Sequence, residues 1–446
     1  MNFPGARVLV VGLGASGWAA ARALVELGAR VRVTEGGSSA EVAERAAWLR
    51  AHGAEVEIGG HDLSSLDADV AVVSPGIPPA ADVLQALARS GTRTISEVEL
   101  AYQLAECDFL AVTGTNGKTT TTTLLASMLE RSGIASVAGG NIGLPLIDAI
   151  GSVGSKGAIA LEVSSFQLSG IESFHPQVAV ILNIAEDHTD WHGSIEAYVA
   201  AKARITENQT AADHLVLNLD DERVRAIGSR SEACIVGFSS TGLIPDGIGV
   251  SGDDIVWRGE PLMKRSSITL EGRAGTEDAL AALGAALSYG VDPASAITAA
   301  QEFRPLRHRL ELVAEVGGVA YIDDSKATNP HATLAAVDGL SDVVLIAGGR
   351  SKGIDLAPLR EAVPPVVAVV AIGEAADEVA DVFDGVVPVD RASTMAAAVA
   401  AARRRSVPGG SVLLAPACAS LDMYESYAAR GDDFARCVRD LTREED

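Results

Sequence analysis

The densest chemistry in this chain lies in the run Thr113-Gly114-Thr115-Asn116-Gly117-Lys118-Thr119-Thr120. An apolar stretch at 109–113 reads as a buried strand leading into it, and residues 119–131 read as the helix that follows. Consecutive backbone N–H groups in such a loop, with the free N–H groups of the next helix, form an anion cradle. Glycines let the backbone come close to phosphate oxygens. Lys118 can reach the terminal phosphates and the Thr119 hydroxyl can ligate Mg²⁺. The spacing is shorter than the usual Gly-x₄-Gly-Lys-Thr, because Val112 stands where the first glycine would be. The expected chemistry is ATP binding and phosphoryl transfer.

A second glycine cluster, Gly12-x-Gly14-x-x-Gly17, follows the apolar residues 7–11. It supports two readings. One is dinucleotide binding, with Glu35 as the acidic companion that such sites carry about 20 positions on. The other is close helix–strand packing with no ligand.

These loops need strands and helices to hold them. Residues 7–11, 18–27 and 30–33 read as a βαβ unit, and 70–74 as another buried strand stopped by Pro75-Gly76. Further strands fit 157–161, 178–183 and 214–218, and Gly-punctuated alternation across 240–271 predicts antiparallel strands. A helix fits 276–290. Beyond Arg309, strands at 319–322, 343–347, 366–372 and 411–415 alternate with helices at 356–362, 375–382, 394–404 and 432–441. The prediction is α/β in three domains: a Rossmann-like N-terminal domain (1–97), a central P-loop ATPase domain (98–305) and a C-terminal Rossmann-like domain (306–446).

The net charge is −24 over 446 residues, which disfavours nucleic acid and anionic membranes as partners. Four scattered cysteines without a Cys-x-x-Cys pair argue for a reducing compartment. No signal peptide or membrane-length apolar run is evident, so a cytoplasmic location is expected.

The ordered motifs resemble the Mur ligase family, and within it the D-glutamate-adding members, over essentially the whole chain. The resemblance rests on the Gly-Leu-Gly start, Ser74-Pro75-Gly76-Ile77, the Thr113–Thr120 loop, Gly140-Asn141-Ile142-Gly143 and Glu162-Val-Ser-Ser-Phe-Gln167. It continues through Asn183-Ile-Ala-Glu-Asp187-His188, Lys202, His308-Arg309, Asp324-Ser-Lys-Ala-Thr-Asn329, Gly348-Gly-Arg-Ser-Lys352 and Ser420-Leu-Asp422. It implies a UDP-substrate domain, an ATPase domain and an amino-acid domain in a monomer. The implied reaction transfers the ATP γ-phosphate to the carboxylate of UDP-N-acetylmuramoyl-L-alanine. The amine of D-glutamate then attacks the acyl phosphate.

Two anions must meet in that reaction, and unit charges ~4 Å apart repel by about 4 kcal/mol at an effective dielectric of ~20. Cations must lie between them. Thr119 and Glu162 suit one Mg²⁺ ion. On residue type alone His188 reads as structural and Lys202 as a solvated helix lysine. The resemblance implies instead that His188 helps hold a second Mg²⁺ and that Lys202 is carbamylated, which needs a buried, neutral amine. It implies that Arg309 contacts ATP phosphates, that Asp324 lies near the ribose and that Lys326 can neutralise the acyl phosphate. Thr328, Lys352, Ser420, Leu421 and Tyr427 match the glutamate side, while Ser16, Gly76, Asn141, Ser164 and Gln167 join Glu35 as candidates for the UDP-sugar.

Two departures stand out. Related sequences often place an Arg near the uracil, where this chain has Thr34-Glu35-Gly36-Gly37. The adenine-side His-Asn-x-x-Asn becomes Ala274-Gly275-Thr276-Glu277-Asp278, so Asp278 replaces an Asn that could both accept and donate. Competing readings are a neighbouring Mur-type or folylpolyglutamate-type ligase, L-glutamate as acceptor, and a catalytically silent nucleotide-binding protein.

Overall fold

A computed structural model of the chain describes residues 3–63, 66–270, 272–351 and 353–445. Its strands gather into three sheets. The first holds β1 (Arg7–Val11), β2 (Arg30–Glu35), β3 (Glu55–Ile58), β4 (Val70–Val73) and β5 (Thr94–Ser96). All are parallel, in the spatial order β3-β2-β1-β4-β5. The order reverses between β1 and β4, and a doubly wound sheet opens its ligand crevice at the strand ends beside such a reversal.

The second sheet starts with six parallel strands: β6 (Asp108–Thr113), β7 (Ser136–Gly140), β8 (Ala158–Glu162), β9 (Val178–Ile181), β10 (His214–Asn218) and β11 (Cys234–Phe238). The expected antiparallel stretch is β12 (Ile248–Ser251), β13 (Asp254–Trp257) and β14 (Glu260–Lys264), on the edge beyond β11. β6 lies between β8 and β9. It is buried from Phe109 to Thr113, as a strand covered on both faces must be.

The third sheet comprises β15 (Glu311–Val316), β16 (Val319–Asp323), β17 (Val343–Gly348), β18 (Val366–Ile372), β19 (Val389–Ala392) and β20 (Ser411–Leu414). Its order is β15-β16-β20-β17-β18-β19, parallel except for β15. The result is the three-domain α/β plan expected from the sequence. Several helices differ from expectation, among them Gly272–Tyr289, which starts ahead of the expected 276. Residues 356–362 form the short 3₁₀ helix Ala357–Ala362, because Pro364 blocks extension past Val363. The last helix starts earlier and ends later, at Tyr427–Glu445.

By contact the chain divides into two compact units. One comprises Met1–Ile184, Glu196–Ser267 and Glu277–Gln301, so it carries the first two sheets. The other comprises Ala185–Ile195, Ile268–Thr276 and Glu302–Asp446, which adds two short segments to the third sheet.

Within the first unit, two acidic residues after β5 tie the first sheet to the second. Burial alone would raise the Glu99 carboxyl, but hydrogen bonds from Glu172, Ser173 and Gln103 hold it below its ordinary value. Glu97 is 1% exposed. Its Oε1 accepts from the Leu146 N–H at 2.9 Å, while Oε2 has no hydrogen-bond partner among the described residues. Burial pushes this carboxyl up to about 7, against the pull of the Leu146 hydrogen bond.

A carboxyl raised in the fold retains its proton there, so stability falls as pH climbs from 4.5 to about 7. Glu97→Gln cannot ionise. Its stability advantage over wild type should therefore grow by roughly 3 kcal/mol between pH 5 and pH 8. Urea denaturation at the two pH values checks this, and parallel pH dependence of the two proteins would refute it.

Candidate active site at the phosphate loop

β6 ends at Thr113, and the helix Lys118–Arg131 begins just after Gly117. Two glycines between them have no substitute. Gly114 has φ +155°, and a Cβ there would sit 2.9 Å from Leu182 Cβ. Gly117 has φ +84°, and its Cβ would lie 2.0 Å from Asp278 Oδ1. Asp278 thus abuts the phosphate loop itself. Asn183, just past β9, braces the loop from the other side. Its carbonyl accepts from Thr115 N at 2.9 Å, its Oδ1 accepts from Asn116 N at 2.8 Å, and its Nδ2 donates to Asn116 O at 3.2 Å. Thr115 Oγ1 stands 3.2 Å from the Tyr198 hydroxyl. Lys118 Nζ donates to the carbonyls of Gly114 and Thr115 at 3.0 and 2.8 Å, so its ammonium lies over the loop. Thr119 and Thr120 occupy the first turn of the helix, with Thr120 buried.

Sheet register brings Glu162 to this loop. It ends β8 opposite Val112, one residue before the loop motif begins. Glu162 is 2% exposed. Its Oε1 accepts from Asn141 Nδ2 at 2.8 Å, and its backbone carbonyl accepts from Asn141 N at 2.9 Å. A Cβ on Gly140 would stand 2.4 Å from that carbonyl, which explains a glycine before Asn141. Asn141 therefore orients Glu162, whatever else it touches. Glu162 Oε2 is buried with no hydrogen-bond partner among the described residues. Such an oxygen is costly unless a cation compensates it. With the Thr119 hydroxyl in the first turn of the helix that follows the loop, the donors are hard oxygens of the kind that fit a divalent cation such as Mg²⁺.

Lys202 is 1% exposed, so it is not a solvated helix lysine. Its Nζ donates to Gly114 O at 2.7 Å and lies 4.6 Å from the Tyr198 ring centroid. His188 belongs to the segment Ala185–Ile195, which groups with the other unit. It takes a left-handed backbone, φ +53°, with its N–H donating to Asp187 Oδ1 at 2.9 Å. Asn329 Nδ2 holds the other Asp187 oxygen at 3.2 Å.

At the end of the first sheet, Gly12 and Gly17 face Ser74. Cβ atoms on them would lie 2.7 and 2.8 Å from Ser74 Oγ, and that hydroxyl is buried with no partner among the described residues. Residue type alone did not single Ser74 out. Ser16 is partly exposed and Gly76 exposed at this crevice. Glu35 is already engaged: Oε2 accepts from Leu13 N at 2.5 Å and Oε1 from Gly37 N at 2.6 Å. The guanidinium that reaches this turn comes from Arg45, whose Nη1 donates to Leu13 O at 3.0 Å. Nothing in the local run 34–37 could have pointed to it. Ser164 caps the short helix Ser165–Leu168 in a capping box, where Gln167 Oε1 accepts from Ser164 N at 2.9 Å. Gln167, 1% exposed, thereby fixes Ser164.

The second unit carries the remaining expected residues. Lys326 Nζ lies 3.8 Å from the Tyr427 ring centroid, a cation–π contact. Ser420 is buried, Leu421 exposed, and Thr328 and Arg309 partly exposed. Desolvation pushes Asp324 up to about 7, while the charge of Arg309 pulls it down. Beside them His308 Nδ1 stands 2.7 Å from Asp323 Oδ2 in a buried pair that residue type alone did not reveal. Lys352 lies outside the described residues.

Three family models cover the chain in order. The Mur ligase MurD-like N-terminal domain matches residues 6–96, the Mur ligase middle domain 112–286, and the Mur ligase glutamate ligase domain 308–418. The UDP-N-acetylmuramoylalanine--D-glutamate ligase of Acidobacterium capsulatum is 43% identical over 447 residues, spanning 98% of this chain and 97% of its own length. The enzymes of the same name from Geotalea daltonii and Geobacillus kaustophilus are each 40% identical, over 99% of both chains and 98% of both chains respectively. Among solved structures, the UDP-N-acetylmuramate-alanine ligase MurC of Thermotoga maritima superposes with a TM-score of 0.62 at 18% identity, covering 98% of this chain and 100% of its own. MurF from Acinetobacter baumannii gives 0.62 at 17% identity, covering 93% and 90%. At such identities the likeness speaks for the fold. The three domain models and the full-length relatives together show that the chain belongs to the Mur ligase family.

Proposed function

We propose that this chain is an ATP-dependent ligase that adds D-glutamate to UDP-N-acetylmuramoyl-L-alanine, a step of peptidoglycan precursor synthesis. One observation carries the chemistry: a buried carboxylate oxygen of Glu162 with no hydrogen-bond partner among the described residues, beside a glycine-rich loop over which Lys118 is held. The choice of D-glutamate is supported by the relatives of that name at 40–43% identity over nearly the full length.

In this reading Gly114, Thr115, Asn116, Gly117, Lys118, Thr119 and Thr120 form the phosphate-binding turn and helix start, with Arg309, Asp324 and Asp278 as further nucleotide contacts. Thr119 and Glu162 would hold one Mg²⁺, and His188 with carbamylated Lys202 a second. Bound Mg²⁺ would screen the triphosphate from the substrate carboxylate and stabilise charge on the transferred group. Lys118 neutralises the phosphoryl oxygens as the carboxylate attacks the γ-phosphorus and ADP leaves. Lys326 neutralises the acyl phosphate. The amino nitrogen of D-glutamate then attacks the acyl carbon, and inorganic phosphate departs with the carboxyl-derived oxygen. Thr328, Lys352, Ser420, Leu421 and Tyr427 orient the acceptor. Ser16, Glu35, Gly76, Asn141, Ser164 and Gln167 serve the UDP-sugar side, Asn141 and Gln167 partly through Glu162 and Ser164.

The proposed domain limits are 1–97, 98–305 and 306–446. A cytoplasmic monomer is proposed: no disulfide joins the four cysteines, and no described helix is long and apolar enough to cross a membrane.

Phosphate release with UDP-N-acetylmuramoyl-L-alanine and ATP should require D-glutamate and remain at background with L-glutamate, L-alanine or diaminopimelate. Turnover with L-glutamate alone would overturn the acceptor assignment. Lys118→Ala should lower turnover by at least ~10², the scale of losing one electrostatic stabiliser. Wild-type turnover in that variant would remove the phosphate loop from the mechanism. Asp278 sets a carboxylate against the loop that must receive polyphosphate, so Asp278→Asn should tighten ATP binding. Calorimetry that finds unchanged or weaker ATP affinity would contradict this.

A further inference from the structure

The loops assigned to the acceptor leave three neighbouring strands of the third sheet, β16, β20 and β17, at their C-terminal ends. The strand order reverses there, since β20 inserts between β16 and β17. One side chain reaches all three loops. Arg430, in the helix Tyr427–Glu445, is 1% exposed. Its Nε donates to Ser325 Oγ at 3.0 Å and its Nη2 to Ser325 O at 2.9 Å, in the loop after β16. Its Nη1 donates to Cys418 O at 3.1 Å, in the loop after β20. A Cβ on Gly349, in the loop after β17, would stand 3.2 Å from Nη1. Ser325 Oγ in turn donates to Tyr427 O at 2.7 Å, closing the circuit onto the start of the same helix.

All three acceptors are neutral. Among the described residues no carboxylate shares a hydrogen bond with this guanidinium. Burial pulls it down to about 10, while Asp422 and Asp323 act on it through space without a hydrogen bond, so it remains a cation at neutral pH. A buried charge without a bonded counter-ion is a costly way merely to join loops, and neutral side chains could do that at less cost. An acceptor that brings carboxylates to the same crevice would offset the cost.

Resting on the ligase reading above, we propose that Arg430 is a positioning and selectivity residue for the acidic acceptor. Its planar fork sets the register of the loops bearing Lys326, Thr328, Ser420 and Leu421. Its buried charge makes the crevice between them favourable for a carboxylate-bearing amino acid. A lysine retains the charge but cannot bond three acceptors in one plane.

The test is phosphate release by the full-length protein and by Arg430→Met, Arg430→Lys and Ser325→Ala, varying each substrate in turn. Wild type must first turn over D-glutamate; if it does not, the ligase reading fails, not this one. With wild type active, Arg430→Met should raise KM for D-glutamate by ~10-fold or more, as expected for losing a charged hydrogen-bonding group. Its KM for ATP should stay within about twofold, and Arg430→Lys should recover part of the loss. A uniform fall in kcat with every KM unchanged, or a lysine variant no better than methionine, overturns the proposal. Should Arg430→Met fail to fold, Ser325→Ala removes one bond of the fork and should raise KM for D-glutamate about threefold, again with KM for ATP constant. An unchanged KM for D-glutamate in a folded Ser325→Ala protein overturns it equally.

Discussion

A glycine-rich turn between a buried strand and a helix must be held in one shape, with its buried polar groups satisfied. The junction of β6 with the helix Lys118–Arg131 meets this condition through long-range partners. Asn183 takes the Thr115 and Asn116 amides on one side, Tyr198 meets the Thr115 hydroxyl, and Lys202 takes the Gly114 carbonyl from below. These braces come from the end of β9 and from the helix Ile195–Ala203, neither close in sequence to the loop. Gly114 and Gly117 make room for neighbours that any side chain would strike. Rigid placement at rest matters because electrostatic stabilisation works best when its dipoles need not reorganise.

The same constraint orders the strands around the site. β8 must lie beside β6 for Glu162 to end next to the loop, and β7 must lie beside β8 for Asn141 to reach Glu162. A parallel sheet delivers all three ends to one edge, since its strands point the same way. The cost is concentrated in Glu162 Oε2, a buried oxygen with no hydrogen-bond partner among the described residues. The third sheet repeats the logic with the opposite sign. There Arg430 is the buried charge, and loops after β16, β17 and β20 converge on it.

Much of this could be read from the chain. Strands at 214–218 and 366–372 fall where apolar runs predicted them, because a fully buried parallel strand is a short, nearly uninterrupted apolar run. The phosphate loop was legible because its glycines, lysine and threonines are contiguous and bounded by a strand and a helix. Short edge strands such as Glu55–Ile58 and Thr94–Ser96 were missed, since few residues and mixed polarity leave little periodic signal. The 3₁₀ turn Ala357–Ala362 read as a helix because its composition is helical, and Pro364 just beyond it cuts the turn short.

The sequence by itself determined the long buried strands, the glycine-rich turn between β6 and the helix Lys118–Arg131, and the set of acids, bases and hydroxyls available to it. Those are properties of local composition and spacing. Tertiary structure alone decided that Lys202 is buried against Gly114, that Asp278 abuts Gly117 and that Glu162 has a buried oxygen with no hydrogen-bond partner among the described residues. It also decided that Arg430 is a buried hub rather than one more charge on an acidic helix. Burial and pairing depend on what distant segments bring to the same place, and spacing along the chain does not encode that distance.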